Sequence, residues 1–273
     1  VTSANDNAPT ITSNGAGATA AVNVAENLTA VTTVTATDAD LPGETLTYSI
    51  SGGADAAKFA INSSTGALTF AVAPDFETPT DGGADNVYDV TVEVSDGSLT
   101  DSQAIAVTVT SVNDNAPTIT SNGAGATAAV SIEENQTAVT TVVAADADLP
   151  AQTLTYTITG GADAAKFDIV SGTGALSFVS APDFETPTDV GTDNVYEVTV
   201  QVSDGALTDS QDISVTVIDI GNTIVVTTTA DDAAANDGTT TSIEDLYANR
   251  GSDGKISLRE AILAANATAG ADV

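Results

Sequence analysis

Residues 87–97 read VYDVTVEVSDG, and the alternation inside this stretch decides the fold. Tyr88, Val90, Val92 and Val94 fall on one face of an extended chain, with Asp89, Thr91, Glu93 and Ser95 on the other. Side chains of a strand alternate between faces, so this is a half-buried β-strand ending in an Asp-Gly turn. LTYSI at 46–50, ALTF at 67–70 and AIAVTVTSV from 104 onward read the same way. Turn clusters such as SGGAD, NSSTG and SDGSLTD separate them. About seven such strands make an antiparallel two-sheet sandwich with apolar faces together and Thr, Ser and acids outward.

The whole pattern occurs twice. Asn5-Asp6-Asn7 returns as Asn113-Asp114-Asn115, and 113 minus 5 is 108, an offset that then holds without a gap. GGADAAKF at 52–59 returns at 160–167, and PDFETPTD at 74–81 returns at 182–189. All six Phe pair under it: Phe59 with Phe167, Phe70 with Phe178, Phe76 with Phe184. The expected organisation is two tandem units, 1–112 and 113–219, followed by a non-repeating segment, 220–273, that holds Arg250, Lys255 and Arg259.

Composition excludes several functions. Asp and Glu number 38 against 5 Lys and Arg, a net charge of −33, which leaves no electrostatic route to nucleic acid or anionic lipid. Without Cys or His the chain has no disulfide, no thiolate, no imidazole base and no usual zinc ligand. The expectation is therefore a protein that is not an enzyme. No apolar run approaches a membrane span. A Cys-free chain rich in Asp, Thr, Ala and Gly suits bacterial export, and a start at a repeat boundary without a leader reads as an excerpt of a longer chain.

Most acids on outward strand faces are solvated. A subset sits instead where strands end: Glu26, Asp38, Asp40, Asp75, Glu77 and Asp96, with Glu134, Asp146, Asp148, Asp183, Glu185 and Asp204 in the second unit. Asp-x-Asp and Asp-x-Glu in extended chain place two carboxylates on one side, where they repel by about 4 kcal/mol per close pair at an effective dielectric near 20. A cation between them removes that cost, and calcium takes six to eight such oxygens.

In order, the motifs AEN (25–27), TATDAD (35–40), FAINSSTGAL (59–68), PDFE (74–77), VTVEVSDG (90–97) and VNDNAP (112–117) resemble cadherin repeats, twice over. The resemblance implies an all-β protein of two tandem Greek-key, Ig-like sandwiches with Ca²⁺ at the junction between them. By matching position it assigns Glu26, Asp75 and Glu77 from the first unit, and Val112 (main chain), Asn113, Asp114 and Asn115 (main chain) from the linker. Asp146, Asp148 and Asp204 come from the second unit. These seven carboxylates carry one charge more than three calcium ions neutralise, which suits the three-ion junction that the resemblance implies. Asp6, Asp38, Asp40 and Asp96 would form half a junction at the N-terminus and imply a further repeat upstream.

Two departures stand out. Ser111 fills the place where the family's linker usually begins with Asp, and the same offset aligns VNDN with Ile220-Gly221-Asn222-Thr223, so the second linker lacks its Asp. Glu134, Asp183 and Glu185 would keep a reduced second site, to which Asp231 or Asp232 could add.

Segment 220–273 contains SLREAILAAN and resembles a CSLREA-type segment, with Ile256 in place of the usual Cys. It reads as a small α+β unit, a strand over 223–229 and a helix from Ser257, capping a parallel β-helix. A competing EF-hand-like loop counted from Asn249 reaches Asp253 and Glu260 but meets Gly251 where an acid is wanted.

Together these imply a calcium-stiffened extracellular or cell-surface stalk of a bacterial adhesin, biofilm or filament protein. Its partners would be copies of itself, other surface proteins or glycans. The alternative is a carbohydrate-binding module of a polysaccharide-active β-helix protein. No Trp and 4% aromatic residues weigh against sugar-stacking platforms.

Overall fold

The computed structural model describes residues 5–40 and 45–221. The readings made on segment 222–273, including the strand, the SLREA helix, the EF-hand-like loop and Asp231 or Asp232, lie outside the described residues.

Each repeat forms a β-sandwich. In the first, β1 (Thr10–Ile11) pairs with β4 (Ala36–Thr37), while β2 (Thr19–Ala25), β9 (Thr100–Thr110), β8 (Val87–Ser95) and β5 (Thr47–Gly52) lie side by side in that order as a four-stranded sheet. The facing sheet has the order β3 (Ala30–Thr33), β7 (Ala67–Phe70), β6 (Phe59–Ile61). The second sandwich repeats this with β10 (Thr118–Ile119), β11 (Thr127–Glu133), β12 (Ala138–Thr141), β13 (Ala144–Ala145) and β14 (Thr155–Gly160). It is completed by β15 (Phe167–Ile169), β16 (Ala175–Phe178), β17 (Val195–Ser203) and β18 (Thr208–Ile218). A single 3₁₀ turn, Ala56–Lys58 or Ala164–Lys166, leads into β6 or β15.

The alternation of VYDVTVEVS is realised in β8, where Tyr88, Val90, Val92 and Val94 are each at most 1% exposed. Across the core, Phe59 stacks on Phe70 at 4.7 Å, and Tyr88 meets Phe70 edge to face at 5.2 Å. Phe167, Phe178 and Tyr196 repeat the cluster. A buried tyrosine needs a partner for its hydroxyl; the Thr80 N–H donates to Tyr88 Oη and the Thr188 N–H to Tyr196 Oη. Gly53 holds φ +107°, and a Cβ there would overlap the Asp89 carbonyl and Val90 Cα, so the chain passes β8 only as glycine.

The fold departs from the sequence reading in two respects. Among the described residues nine strands form per repeat rather than about seven, because the two-residue β1–β4 pairing is too short to leave a periodic pattern. Nor is the sandwich wholly antiparallel: β2 runs parallel to β9 through seven paired positions, Thr19 with Ala104 to Ala25 with Thr110. The first long strand and the last therefore point the same way, and the chain enters at one pole of the sandwich and leaves at the other. Residues at strand ends consequently collect at two separate poles.

Some acids serve the fold alone. Asp81 is buried and accepts N–H groups from Gly83, Asp85 and Asn86. Burial pushes its pKa up, and these backbone donors outweigh that and hold it below the usual value. Asp55 accepts from Gly82 and Asp89, tying the loop to β8.

Candidate metal centre

The junction is built where β2 and β9 end together. Glu26 follows β2, is 2% exposed, and spends one lone pair on each neighbour: Oε2 accepts the Phe76 N–H and Oε1 the Val112 N–H, both at 2.7 Å. One buried carboxylate thereby clamps the PDFE loop and the linker. Glu77 reaches forward instead, its Oε1 accepting the Leu149 N–H of the second repeat at 3.0 Å, while its Oε2 is buried with no partner. Burial first, then the neighbouring Glu26 and Asp148 carboxylates, raise the Glu77 pKa against the lowering effect of Leu149 N–H. Oxygens of Glu26, Glu77 and Asp114 all lie within 4.8 Å of one another.

A second triad meets the linker from the other side. Oxygens of Asp146, Asp148 and Asp204 lie within the same 4.8 Å limit. Asp148 is 2% exposed and accepts the Asn115 N–H and side-chain amide through Oδ1. Asp146 Oδ1 accepts the Asp148 N–H, leaving Oδ2 buried and unpartnered. Asp204 Oδ1 takes the Ala206 and Leu207 N–H groups at 2.7 Å; burial raises its pKa, but these donors bring it below the ordinary value. The side-chain amide of Asn113 stands between Gln152 on one side and Asp148 and Asp204 on the other.

The ten residues assigned to the junction are thus divided by the structure. Six of them form the two triads, with Asn113 beside the second. Asp75 is exposed and accepts from its own loop, Glu77 and Thr78 N–H. Its pKa is lowered, chiefly by the Thr78 side chain. Val112 contributes its N–H to Glu26, and Asn115 contributes its side chain to both Asp114 and Asp148.

The N-terminal pole repeats the second triad's arrangement. Asp40 Oδ2 accepts the N–H groups of Asp6 and Asn7, Asp38 Oδ1 accepts the Asp40 N–H, and Asp96 Oδ1 accepts those of Ser98 and Leu99. Asn7 N–H is the main cause of the lowered Asp40 pKa, and Leu99 N–H that of Asp96. Asp38 Oδ2, Asp96 Oδ2 and Asn5 Oδ1 are buried with no partner. Asn5 was absent from the sequence-derived set, although the offset places it beneath Asn113.

At the far pole, Glu134 again clamps a loop and a linker, accepting from Phe184 at 3.2 Å and Ile220 at 3.3 Å. Its oxygens share a group with Glu185 and with Asp219, a residue the sequence reading missed. Burial first, then Glu134 and Asp219, raise the Glu185 pKa, while Asp183 accepts from its own loop as Asp75 does. The signal for Asp219 was present: it occupies the place of Ser111, where the family's linker carries Asp.

These donor sets fit a hard divalent cation. Every group is an oxygen, and buried carboxylate oxygens without a donor, Glu77 Oε2 and Asp146 Oδ2, lie on both sides of the linker. The only basic side chains among the described residues are Lys58 and Lys166, and neither belongs to these groups.

The Cadherin domain model matches residues 20–112 and 128–218, more than half the chain. Human Protocadherin Fat 1 is 32% identical over 227 residues, covering 80% of this chain and 5% of that protein. Mouse Cadherin EGF LAG seven-pass G-type receptor 2 is 34% identical over 222 residues, covering 79% of this chain and 7% of that protein. The chain therefore spans a small fraction of these relatives. Among solved structures, human Protocadherin-24 EC1-2 superposes with a TM-score of 0.59 at 24% identity, over 78% of this chain and 99% of that one. Mouse Cadherin-23 EC22-24 superposes at 0.51 with 25% identity, over 79% and 66%. With two sandwiches joined at an acid-lined linker and the family model matching both, the chain belongs to the cadherin family.

Proposed function

We propose that this chain is a calcium-stiffened, non-enzymatic adhesive stalk of an extracellular or cell-surface protein. Cadherin domains are typically calcium-dependent adhesive modules of extracellular proteins. The observation that carries the reading is the pair of triads, Glu26–Glu77–Asp114 and Asp146–Asp148–Asp204, meeting at one linker with unpartnered buried oxygens in each. The ligand set is Glu26, Asp75, Glu77, Val112, Asn113, Asp114, Asn115, Asp146, Asp148 and Asp204. Asn5, Asp6, Asp38, Asp40 and Asp96 serve the N-terminal pole, and Glu134, Asp183, Glu185 and Asp219 the far one.

Bound calcium would supply positive charge that ties carboxylates of one repeat to those of the next. The residues do the rest: Glu26 holds the linker against the PDFE loop, and Glu77 holds Leu149 of the second repeat. Without cations, like charges gathered at one linker push the repeats apart. The Cys-free, acid-rich composition supports a bacterial surface or filament setting, and repetition of the unit supports contacts between copies. The large hydrophobic side chains exposed among the described residues are aliphatic, which disfavours a sugar-stacking platform there.

Calcium titration by calorimetry, with small-angle scattering in calcium and in chelator, tests the proposal. Binding of about three ions per junction, with a profile that stiffens in calcium, is expected. No binding, or one weak ion with an unchanged profile, would overturn it.

A further inference from the structure

The two repeats carry the same cavity. In the first it lies between the 3₁₀ turn Ala56–Lys58, the end of β7 and the PDFE loop, with a volume of about 340 Å³; in the second it measures about 370 Å³. Every lining position of one matches a lining position of the other at the offset of 108, Lys58 with Lys166, Thr80 with Thr188 and Tyr88 with Tyr196 among them. Such volumes stand at the small end of ligand sites.

The chemistry of the cavity is unlike that of the acidic surface around it. Lys58 and Lys166 are the only basic side chains among the described residues, and one lines each cavity. Although the chain holds 38 acids, neither ammonium forms a hydrogen bond or ion pair within the described residues. Tyr88 and Tyr196, also in the lining, are each 1% exposed; their Oη atoms accept a threonine N–H and donate to no described group. A buried hydroxyl proton without an acceptor is costly. The carboxylate of the first lining, Asp75, is already answered, with Oδ1 accepting the Glu77 and Thr78 N–H groups. What stays unanswered is a pair of donors, an ammonium and a phenol O–H. Phe70 and Pro74 supply apolar wall, and Val72 at the rim is 81% exposed, the highest value among the exposed large hydrophobic side chains described. Charges more than about 8 Å away are screened at physiological ionic strength, so the lining sets the field inside.

We propose that each cavity binds a small carboxylic acid with an apolar body. Its carboxylate meets the lysine ammonium and the tyrosine hydroxyl. Its carbon skeleton covers Phe70, Val72 and Pro74 in the first repeat, and Phe178, Val179 and Pro182 in the second. The inference goes beyond the stalk reading and uses neither calcium triad.

The test uses the whole chain, with 4-methylpentanoate as the probe and 4-methylpentanamide as its uncharged counterpart. The Thr80 and Thr188 N–H groups, which donate to the two tyrosine hydroxyls, report on the two cavities separately by ¹H–¹⁵N NMR. The acid should shift both, with half-saturation at about 1 mM, and the amide should bind about tenfold more weakly. K58M should abolish the Thr80 response and leave that of Thr188 unchanged, so the second repeat controls for folding. K166M should do the reverse. No saturable shift below about 10 mM, or equal binding of acid and amide, would overturn the proposal. So would wild-type association in sedimentation that K58M and K166M together abolish while neither cavity responds to the acid; the lysines would then receive acids of a second copy.

Discussion

The linker junction and the far pole of the second repeat share a plan and differ, among the described residues, in how many acids they gather. Both begin with a buried glutamate, Glu26 or Glu134, that receives one N–H from a PDFE loop and one from the outgoing chain. At the junction those bonds are both 2.7 Å; at the far pole they are 3.2 and 3.3 Å. Among the described residues, the junction also has a second triad from the following repeat, whereas the far group of Glu134, Glu185 and Asp219 draws on one repeat and the residue that follows its last strand. Each sandwich thus carries two unlike acid groups, glutamate-clamped at the exit and Asp-x-Asp at the entrance, and the linker brings one of each together.

Substituting the shared triad should separate the two poles most strongly. D148N removes one charge and one buried acceptor of three N–H donors, and is expected to weaken junction calcium binding by about a hundredfold. D219N should leave that isotherm unchanged. Equal effects from both variants would mean that the junction has no advantage over the far group.

A smaller difference is expected in the two clamps. E26Q replaces one acceptor oxygen by a donor facing a backbone N–H, a loss of about 1–3 kcal/mol in chelator. E134Q breaks longer bonds and should cost less, as read from urea unfolding. Equal costs would show that bond length at the clamp carries no energetic meaning.

The smallest expected effect is on pH. Glu77 has a folded pKa above its ordinary 4.5, so in chelator the folded state binds its proton first. Stability should therefore rise as pH falls from neutral through the folded pKa and level off below 4.5, read as the melting midpoint across pH. Asp96 and Asp204 have lowered values and act oppositely, losing stability as pH falls below 3.8. E77Q should abolish the first rise and keep the second loss. A pH profile unchanged by E77Q would remove the electrostatic account of this carboxylate.

Much of the fold was legible because burial on one face leaves a period of two: β7 and β8 fall where ALTF and VYDVTVEVS place them. Strand direction leaves no such mark, since alternation reads identically in either sense, and the parallel pairing of β2 with β9 was invisible. The acids at strand ends were legible by spacing. Asp219 was missed because its counterpart in the first linker, Ser111, carries no carboxylate, so the repeat offers no acid to project onto that place.

The sequence by itself determined the two repeats, their strands and the set of acids that cannot all be solvated. Those properties are local, following from residue spacing along a single extended chain. Tertiary structure alone decided which carboxylates meet and that they divide into triads rather than one pool. Glu26 and Glu77 are 51 positions apart and Asp146 and Asp204 are 58 apart, so their closeness depends on how the sheets return the chain to each pole. The field at each oxygen depends on that return, since charge and hydrogen-bond interactions act through distance in space.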